Sequence, residues 1–202
     1  MKTMAFDVEV DGRPVSVVVR PPSPAVSRQG DLAHRRGFQS AVAKGAQTFR
    51  KLKPRIDSFW GPTQQAESER LWSVICADEA LLAEPRLGVA EGRLVAERLR
   101  RTRAVFDELR RPWLDLQEAS AEMQALKARI DFLIASCTFH RDGARYFPDA
   151  MTFTRLREQG HPVALRAYWA FTGAVFGWRE DVVDARPEAV FLRLHGLAAH
   201  AA

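Results

Sequence analysis

The residue types that most often carry chemistry are scattered along this chain without the spacing of known sites. The five histidines are His34, His140, His161, His195 and His200. None lies in an HExxH motif or forms a zinc-like set with cysteine. Cys76 and Cys137 have no CxxC partner and lie in apolar, helix-like contexts, which predicts two buried free thiols in a reducing compartment. The sequence therefore predicts neither a metal site nor a cofactor.

Catalytic motifs are equally absent from the sequence. It contains no GxSxG nucleophile motif and no GxxxxGK[ST] or GxGxxG phosphate loop. Paired carboxylates occur at Asp78-Glu79 and Glu180-Asp181, but adjacent side chains on a helix point apart, which favours a surface location. We therefore expect no catalytic residues and predict that the protein is not an enzyme.

Charge is the first feature that suggests a partner. The formal net charge is +5 and the sequence pI is about 9.7, which favours acidic partners. Basic residues concentrate in the segment 28–55, and its densest part contains the candidate nucleic-acid contacts Arg50, Lys51, Lys53 and Arg55. Phe49 and Phe59 flank them and could stack on bases. A solvated basic face is the favoured interpretation, and nucleic-acid binding or regulation through this segment is the alternative function.

The elements that would position any site begin with a predicted β-hairpin. Asp11-Gly12 is a favoured two-residue turn, and it places Val10 opposite Arg13, Val8 opposite Val15 and Phe6 opposite Val17. An isolated hairpin is only marginally stable in water, so this one must pack against a helix, a second hairpin or another protein. We expect the hairpin to offer an edge to which a strand of a partner protein adds, and its candidate partner-binding residues are Phe6, Val8, Val10, Val15 and Val17.

Helices are predicted for most of the remaining length. Ser23 is a typical N-cap for a helix from Pro24 to Lys44, with Gly45 as its stop. Gly30 and Gly37 should each weaken that helix by about 1 kcal/mol. Thr63 is expected to cap a second helix, 64–83, and the turn 85–88 should return the next helix antiparallel to it.

The clearest periodicity predicts a coiled-coil-like seam over residues 95–137. Its members are Val95, Leu99, Thr102, Phe106, Leu109, Trp113 and Leu116, and after a small slip Ala119, Met123, Leu126, Ile130, Leu133 and Cys137. Pro112 interrupts it, and we favour a kinked helix over a full reversal there. Leu99, Phe106, Leu109 and Trp113 are the candidate contact residues, with the contact either within the chain or between subunits.

The C-terminal part combines a short hairpin with aromatic helices. Asp142-Gly143 should pair Phe139 with Tyr146, and the two hairpins could join into one small sheet. Helices are predicted up to Gly160, from Pro162 to Phe176 and over 188–197, the middle one being buried.

These elements define the predicted fold class and domain organisation. The fold class is mainly α with a small β element: an N-terminal hairpin, a helical hairpin or kinked coiled-coil-like long helix, and a compact C-terminal helical part. We expect a single domain, 1–202, made of a hairpin (1–22), a basic helical segment (23–60), a helical hairpin or coiled-coil-like projection (63–137) and a short hairpin with an aromatic helical core (138–202).

Several segments resemble a group of small tailed-bacteriophage proteins. "VVVRPPSP" ends the hairpin, "AVAKGA" ends the first helix, and "DFLIASCTFHRDGARYF" follows the midsection. The group has a "VxVDGxxYxVRRPT"-type opening and a "NYLVSACTVYNDTGKPVF"-type later segment, and the opening also resembles tail assembly chaperones. The resemblance covers most of the chain in outline, although this chain is richer in Arg and Ala. The matching positions are turn and core residues, so no functional residue is transferred.

The resemblance implies a non-enzymatic virion structural or virion-assembly protein. It would be a tail, baseplate or neck component, or a tail assembly chaperone, acting through protein–protein contacts. The expected partners are other phage structural or assembly proteins; self-association is left open, and nucleic acid ranks second. No apolar run reaches the length of a membrane span, and Met1–Asp7 lacks the apolar core of a signal peptide, so we expect a location in the virion or the host cytoplasm.

Overall fold

A computed structural model describes residues 2–177 and 185–197, and these residues are mainly helical. The elements are β1 (Met4–Val10), β2 (Arg13–Val19), α1 (Pro24–Ala43), α2 (Phe49–Phe59), α3 (Pro62–Leu82), α4 (Val89–Glu118), α5 (Ala121–Cys137), β3 (Thr138–His140), α6 (Ala150–Glu158), α7 (Pro162–Phe176) and α8 (Pro187–Leu194). The strands form one antiparallel sheet in the order β1-β2-β3. The predicted fold class, mainly α with a small β element, is confirmed.

The chain divides into two compact units. The first unit comprises the described parts of Met1–Phe49 and Ala119–Glu180, and the second those of Arg50–Glu118 and Asp181–Ala202. The first therefore contains the sheet with α1, α5, α6 and α7, and the second contains α3, α4, α8 and most of α2. The predicted segments 23–60, 63–137 and 138–202 are each split between the two units, and the single domain stays a prediction.

The N-terminal hairpin has the predicted register. Val10 pairs with Arg13, Val8 with Val15 and Phe6 with Val17, and the turn residues have positive φ, 51° at Asp11 and 74° at Gly12. A two-residue turn makes its flanking residues a hydrogen-bonded pair, and such pairs alternate along an antiparallel ladder. Pro14 lies one step further, at a position that donates no bond to β1, so its missing N–H leaves this ladder intact.

The second hairpin joins the first as predicted, but its register differs. β3 pairs with β2 through Val17 and His140, while Phe139 lies opposite Arg145 and not opposite Tyr146. The His140 N–H donates to the Ala144 carbonyl at 2.8 Å, which closes a three-residue loop in place of the expected two-residue turn. Gly143 adopts φ 93° at the last loop position, where a three-residue hairpin loop needs a left-handed residue.

The core of the first unit lies where the sheet, α5, α6 and α7 meet. Its fully buried side chains include Val17, Ile134, Phe147, Phe153 and Phe171. Helix α7 has the predicted bounds, Pro162 to Phe176, and contributes Val163, Ala164, Ala167 and Phe171 to this core. The hairpin thus packs on helices of its own chain. A helix was one of the three packing partners expected for a hairpin that is only marginally stable alone.

Helix α1 packs closely on α5 through its glycines. A Cβ atom at Gly37 would lie 2.8 Å from the Ala128 Cβ and 3.3 Å from the Ala125 Cα, and one at Gly30 would lie 2.9 Å from the Leu133 Cδ2. These glycines lower the helix propensity of α1, but they lie where the two helices approach too closely for a larger side chain. The helix begins after its Ser23 cap and stops before Gly45, as predicted.

The second unit is organised around an antiparallel pair, α3 and α4, as the short turn between them predicted. Trp72 lies 5.7 Å from Phe106 between ring centroids, and Asp78 bonds Arg98 at 2.5 Å. Helix α8 packs on α4 at Gly92, where a Cβ would overlap the Phe191 ring. Helix α3 starts at Pro62 after Gly61 and not after Thr63, because the Gly61 N–H donates to the Gln64 side chain.

The predicted seam over 95–137 is not one helix. Helix α4 runs through Pro112 without interruption, so a reversal at that residue is wrong, but the helix ends at Glu118. Ser120 then caps α5, its hydroxyl accepting the Met123 N–H at 3.2 Å. A hydroxyl N-cap satisfies one of the free N–H groups at the start of a new helix, which favours a break here over one at the proline.

Candidate functional site

The His, Cys, Asp and Glu side chains that could carry chemistry are either dispersed in the structure or form ion pairs with arginine. Among residues 2–177 and 185–197, no group of three or more His, Cys, Asp or Glu side chains could hold a metal ion. Asp78 was expected on the surface, but it is buried and bonded to Arg98, while Glu79 pairs with Arg103. Both carboxylates thus join α3 to α4. His200 and the pair Glu180-Asp181 lie outside the described residues.

The buried carboxylate Asp131 was not singled out from the sequence. It accepts hydrogen bonds from the Thr154 hydroxyl at 2.8 Å and from Arg157 at 2.5 and 3.2 Å, which connects α5 to α6. Burial raises the pKa of Asp131, and the nearby positive charge of Arg157 partly opposes this shift. An aspartate within the apolar run 130–135 was the available signal, since a buried charge requires a partner.

The two cysteines differ in environment. Cys137 is buried as predicted, and burial raises the pKa of its thiol to about 11, with the charge of Arg145 opposing the shift. Cys76 is exposed, so the expectation that both thiols are buried is wrong for this residue. Cys76 directly follows the buried Ile75 on α3, and one residue further along a helix is a rotation of about 100°.

We expect one thiol to react in the folded protein. At about pH 8, a thiol with a pKa of about 11 is roughly one part in a thousand thiolate, so Cys137 should stay protected while Cys76 reacts. Titration with a chromogenic disulfide should give one equivalent per chain before denaturation and two afterwards. Cys76→Ser should remove the native equivalent. Two rapid equivalents from the folded chain would contradict this assignment.

The predicted hairpin residues face the core of the first unit. Val17 is fully buried, and Phe6, Val8, Val10 and Val15 are partly buried and packed against that core. These side chains therefore stabilise their own chain. The part of the hairpin left for a partner is the backbone of β1, which is an edge strand of the sheet.

In β1, the residues that are not hydrogen-bonded to β2 direct their backbone N–H and C=O groups away from the sheet. The alternation set by the turn directs the N–H and C=O groups of Ala5, Asp7 and Glu9 away from β2. No further strand pairs with β1 among the described residues. The side chains of these three residues are exposed, and Asp7 accepts a hydrogen bond from the Ser16 hydroxyl at 2.5 Å. β1 is therefore an open edge with an acidic outer face.

The predicted seam residues lie inside the second unit. Leu99 and Phe106 are buried against Leu71 and Ile75, and Leu109 packs on the same cluster. Trp113 is half-buried, and its ring lies 6.5 Å from that of Trp60. Of the two contacts left open by the sequence, the structure shows the one within the chain.

The candidate nucleic-acid contacts are exposed but spread around about 200° of one helix. Arg50, Lys51, Lys53 and Arg55 lie on α2 and are all exposed, whereas Leu52 and Ile56 of the same helix are buried. Lys53 is bonded to Asp57 at 2.8 Å. This arrangement fits a solvated basic face and also fits a surface for a polyanion.

Comparison of the chain with protein-family models, with curated proteins and with solved structures produced no match. Within the described residues, no helix has both the length and the apolar character that crossing a membrane requires.

Proposed function

We propose that this chain is a non-enzymatic structural or assembly protein of a tailed phage, which binds a strand of a partner protein at the edge of β1. The open edge of β1 is the observation that carries the proposal, because unpaired backbone groups on an edge strand are a template for an added strand. The resemblance of the opening and the later segment to tailed-phage proteins supports the biological class.

The outer face of β1 indicates what the partner strand contains. Asp7 and Glu9 are exposed on that face, so cross-strand pairing favours Lys or Arg at alternate positions of the added strand. A second copy of β1, paired antiparallel about Asp7, would place the two Asp7 carboxylates opposite each other, and like charges there are unfavourable. The partner strand is therefore expected from a different protein.

Replacing Asp7 by proline should reduce strand binding at least about tenfold, because proline removes the outward N–H, and a lost hydrogen bond of about 1.4 kcal/mol corresponds to that factor. Asp7→Ala is the matched control, since both variants lose the Ser16 bond and the charge, but only proline lacks the donor. A short synthetic peptide of alternating valine and lysine is the probe, and calorimetric titration measures its affinity. Equal affinities of the two variants, or no binding to the parent chain, would exclude β1 as the binding edge.

The phage assignment has its own test. We expect the gene to lie among tail or capsid genes. Its deletion should still permit lysis but should abolish infectious particles, and electron microscopy of the lysate should show no particles with complete tails. A gene outside any prophage or phage genome would contradict the biological class without affecting the strand-binding result.

The second candidate function is nucleic-acid binding through α2, favoured by its four exposed cations. Affinity for a DNA oligonucleotide would then fall steeply with added salt and would be lost in Arg55→Glu. Binding at β1 to the peptide would be unaffected by that substitution.

A further inference from the structure

A groove in the first unit is not explained by the strand-binding proposal. It lies along α5, which forms the floor, with α1 and α6 as walls, and its volume is about 940 Å³. The residues of α5 that line it recur every three or four positions from Gln124 to Phe132, so they form one face of the helix. That face is about 12 Å long, a little more than two helical turns.

The lining combines one alanine from each helix with exposed apolar side chains at the rim, and the α5 floor itself carries Gln124, Lys127 and Asp131 as well as Ala128 and Phe132. Ala33, Ala128 and Ala150 line the groove, one from each of the three helices. Leu32 on α1 is 49% exposed and Met151 on α6 is 78% exposed. Such a surface suits an apolar stripe of a further helix, because small residues permit close approach while the rim side chains cover it from both sides.

The charges along the groove are mainly positive. Asp131 and Glu158 are the two acidic residues of the lining, and the charge of Asp131 is neutralised by Arg157. On the opposite wall, the side chains of Arg36 and Lys44 line the groove, are exposed, and have no ion-pair partner among the described residues. Lys44 is the C-cap residue that follows α1, eight positions after Arg36, which corresponds to about 12 Å along the helix axis.

We propose that this groove binds an amphipathic helix of a partner protein, with its apolar stripe against Leu32, Phe132 and Met151 and its acidic residues facing Arg36 and Lys44. Charge complementarity selects this occupant, since a basic or neutral helix would leave both cations unmatched. The spacing of the cations predicts acidic residues seven or eight positions apart on the bound helix. The proposal is independent of β1, because the groove residues lie on α1, α5 and α6.

The experiment is a selection of displayed helical peptides on the full chain, with the Met151→Asp variant as the negative target. Met151 is exposed in the first turn of α6, where an acidic residue is compatible with the helix, so the substitution should leave the fold intact. Selected peptides should carry apolar residues at i, i+3, i+4 and i+7 with Asp or Glu along one edge. Their affinity, measured by fluorescence anisotropy, should fall at least about tenfold in Met151→Asp.

Two matched controls distinguish this groove from the rest of the surface. Arg36→Glu should weaken binding several-fold, whereas Arg35→Glu, its neighbour outside the lining, should not. Leu94→Asp changes an exposed apolar residue of the second unit and should also have no effect. An empty selection, a pool without acidic residues, or binding insensitive to Met151→Asp would overturn the proposal. The proposal would also be overturned if a DNA oligonucleotide competed with the selected peptides and its binding were abolished by Arg36→Glu.

Discussion

Replacing Arg157 by methionine is expected to destabilise the first unit by about 3–5 kcal/mol, because it leaves the carboxylate of Asp131 buried without its countercharge. Asp131 is 5% exposed, and Arg157 supplies two of the three side-chain hydrogen bonds that it accepts. Methionine retains much of the apolar stem, so the loss reports the charge more than the packing. Urea unfolding followed by circular dichroism at about pH 7 measures the difference in free energy of unfolding.

The pH dependence of that loss separates charge from packing. Burial raises the pKa of Asp131, so the folded state binds this proton more tightly than the unfolded state, and the contribution of the group to stability falls as pH rises through the raised pKa. Without Arg157 the pKa should rise further. The deficit of Arg157→Met relative to the parent chain should therefore shrink as pH is lowered from about 7 towards the carboxyl range.

A double variant provides the control for the pair. Asp131→Leu together with Arg157→Met removes both charges, and it should recover most of the lost stability. A deficit in the single variant that is independent of pH and persists in the double variant would show that Arg157 acts through packing on Phe153 and Tyr168, over whose rings its guanidinium lies.

Replacing Gly37 by alanine is expected to destabilise the same unit by about 1–3 kcal/mol, because the added methyl group overpacks the contact between α1 and α5. The new Cβ would meet the Ala128 Cβ at 2.8 Å, and the Ala125 backbone lies directly behind. Helix propensity alone predicts the opposite sign, a gain of about 1 kcal/mol. The sign of the change in free energy of unfolding therefore decides between close packing and intrinsic propensity.

Two comparisons make this result specific. Ala128→Gly in the Gly37→Ala background removes the opposing methyl group and should restore much of the stability. Gly30→Ala lies on the same helix and gains the same propensity, but its new methyl group meets the end of the flexible Leu133 side chain, so the destabilisation should be smaller. Stabilisation by Gly37→Ala would contradict the close approach of the two helices.

Features determined by neighbouring residues were predictable from the sequence. The Asp11-Gly12 turn defines which residues of β1 and β2 face each other, and Ser23 with Pro24 defines where α1 begins. The register of the second hairpin was predicted wrongly. The loop before Ala144 uses three residues in place of two, which shifts the partner of Phe139 by one position.

The candidate sites divide in the same way. Periodicity identified the apolar residues of the hairpin and of α4, and the structure buries them within the chain. Periodicity did not show that α4 and α5 pack in different units, because a continuous apolar repeat does not specify its partner. The hairpin edge was expected from the sequence, and the sheet order showed that β1 is the strand left at the edge. The groove followed from the packing of α5 with α1 and α6.

The sequence by itself determined the bounds of α1 and α7, the register of the first hairpin and the basic character of the segment that forms α2, since these depend on turn chemistry and on spacing along a short stretch. Only the tertiary structure decided the partner of Asp131, the close contact at Gly37 and the groove of the first unit. Each of these joins residues far apart in the chain, and their energies depend on burial and on close approach, which no local stretch of sequence contains.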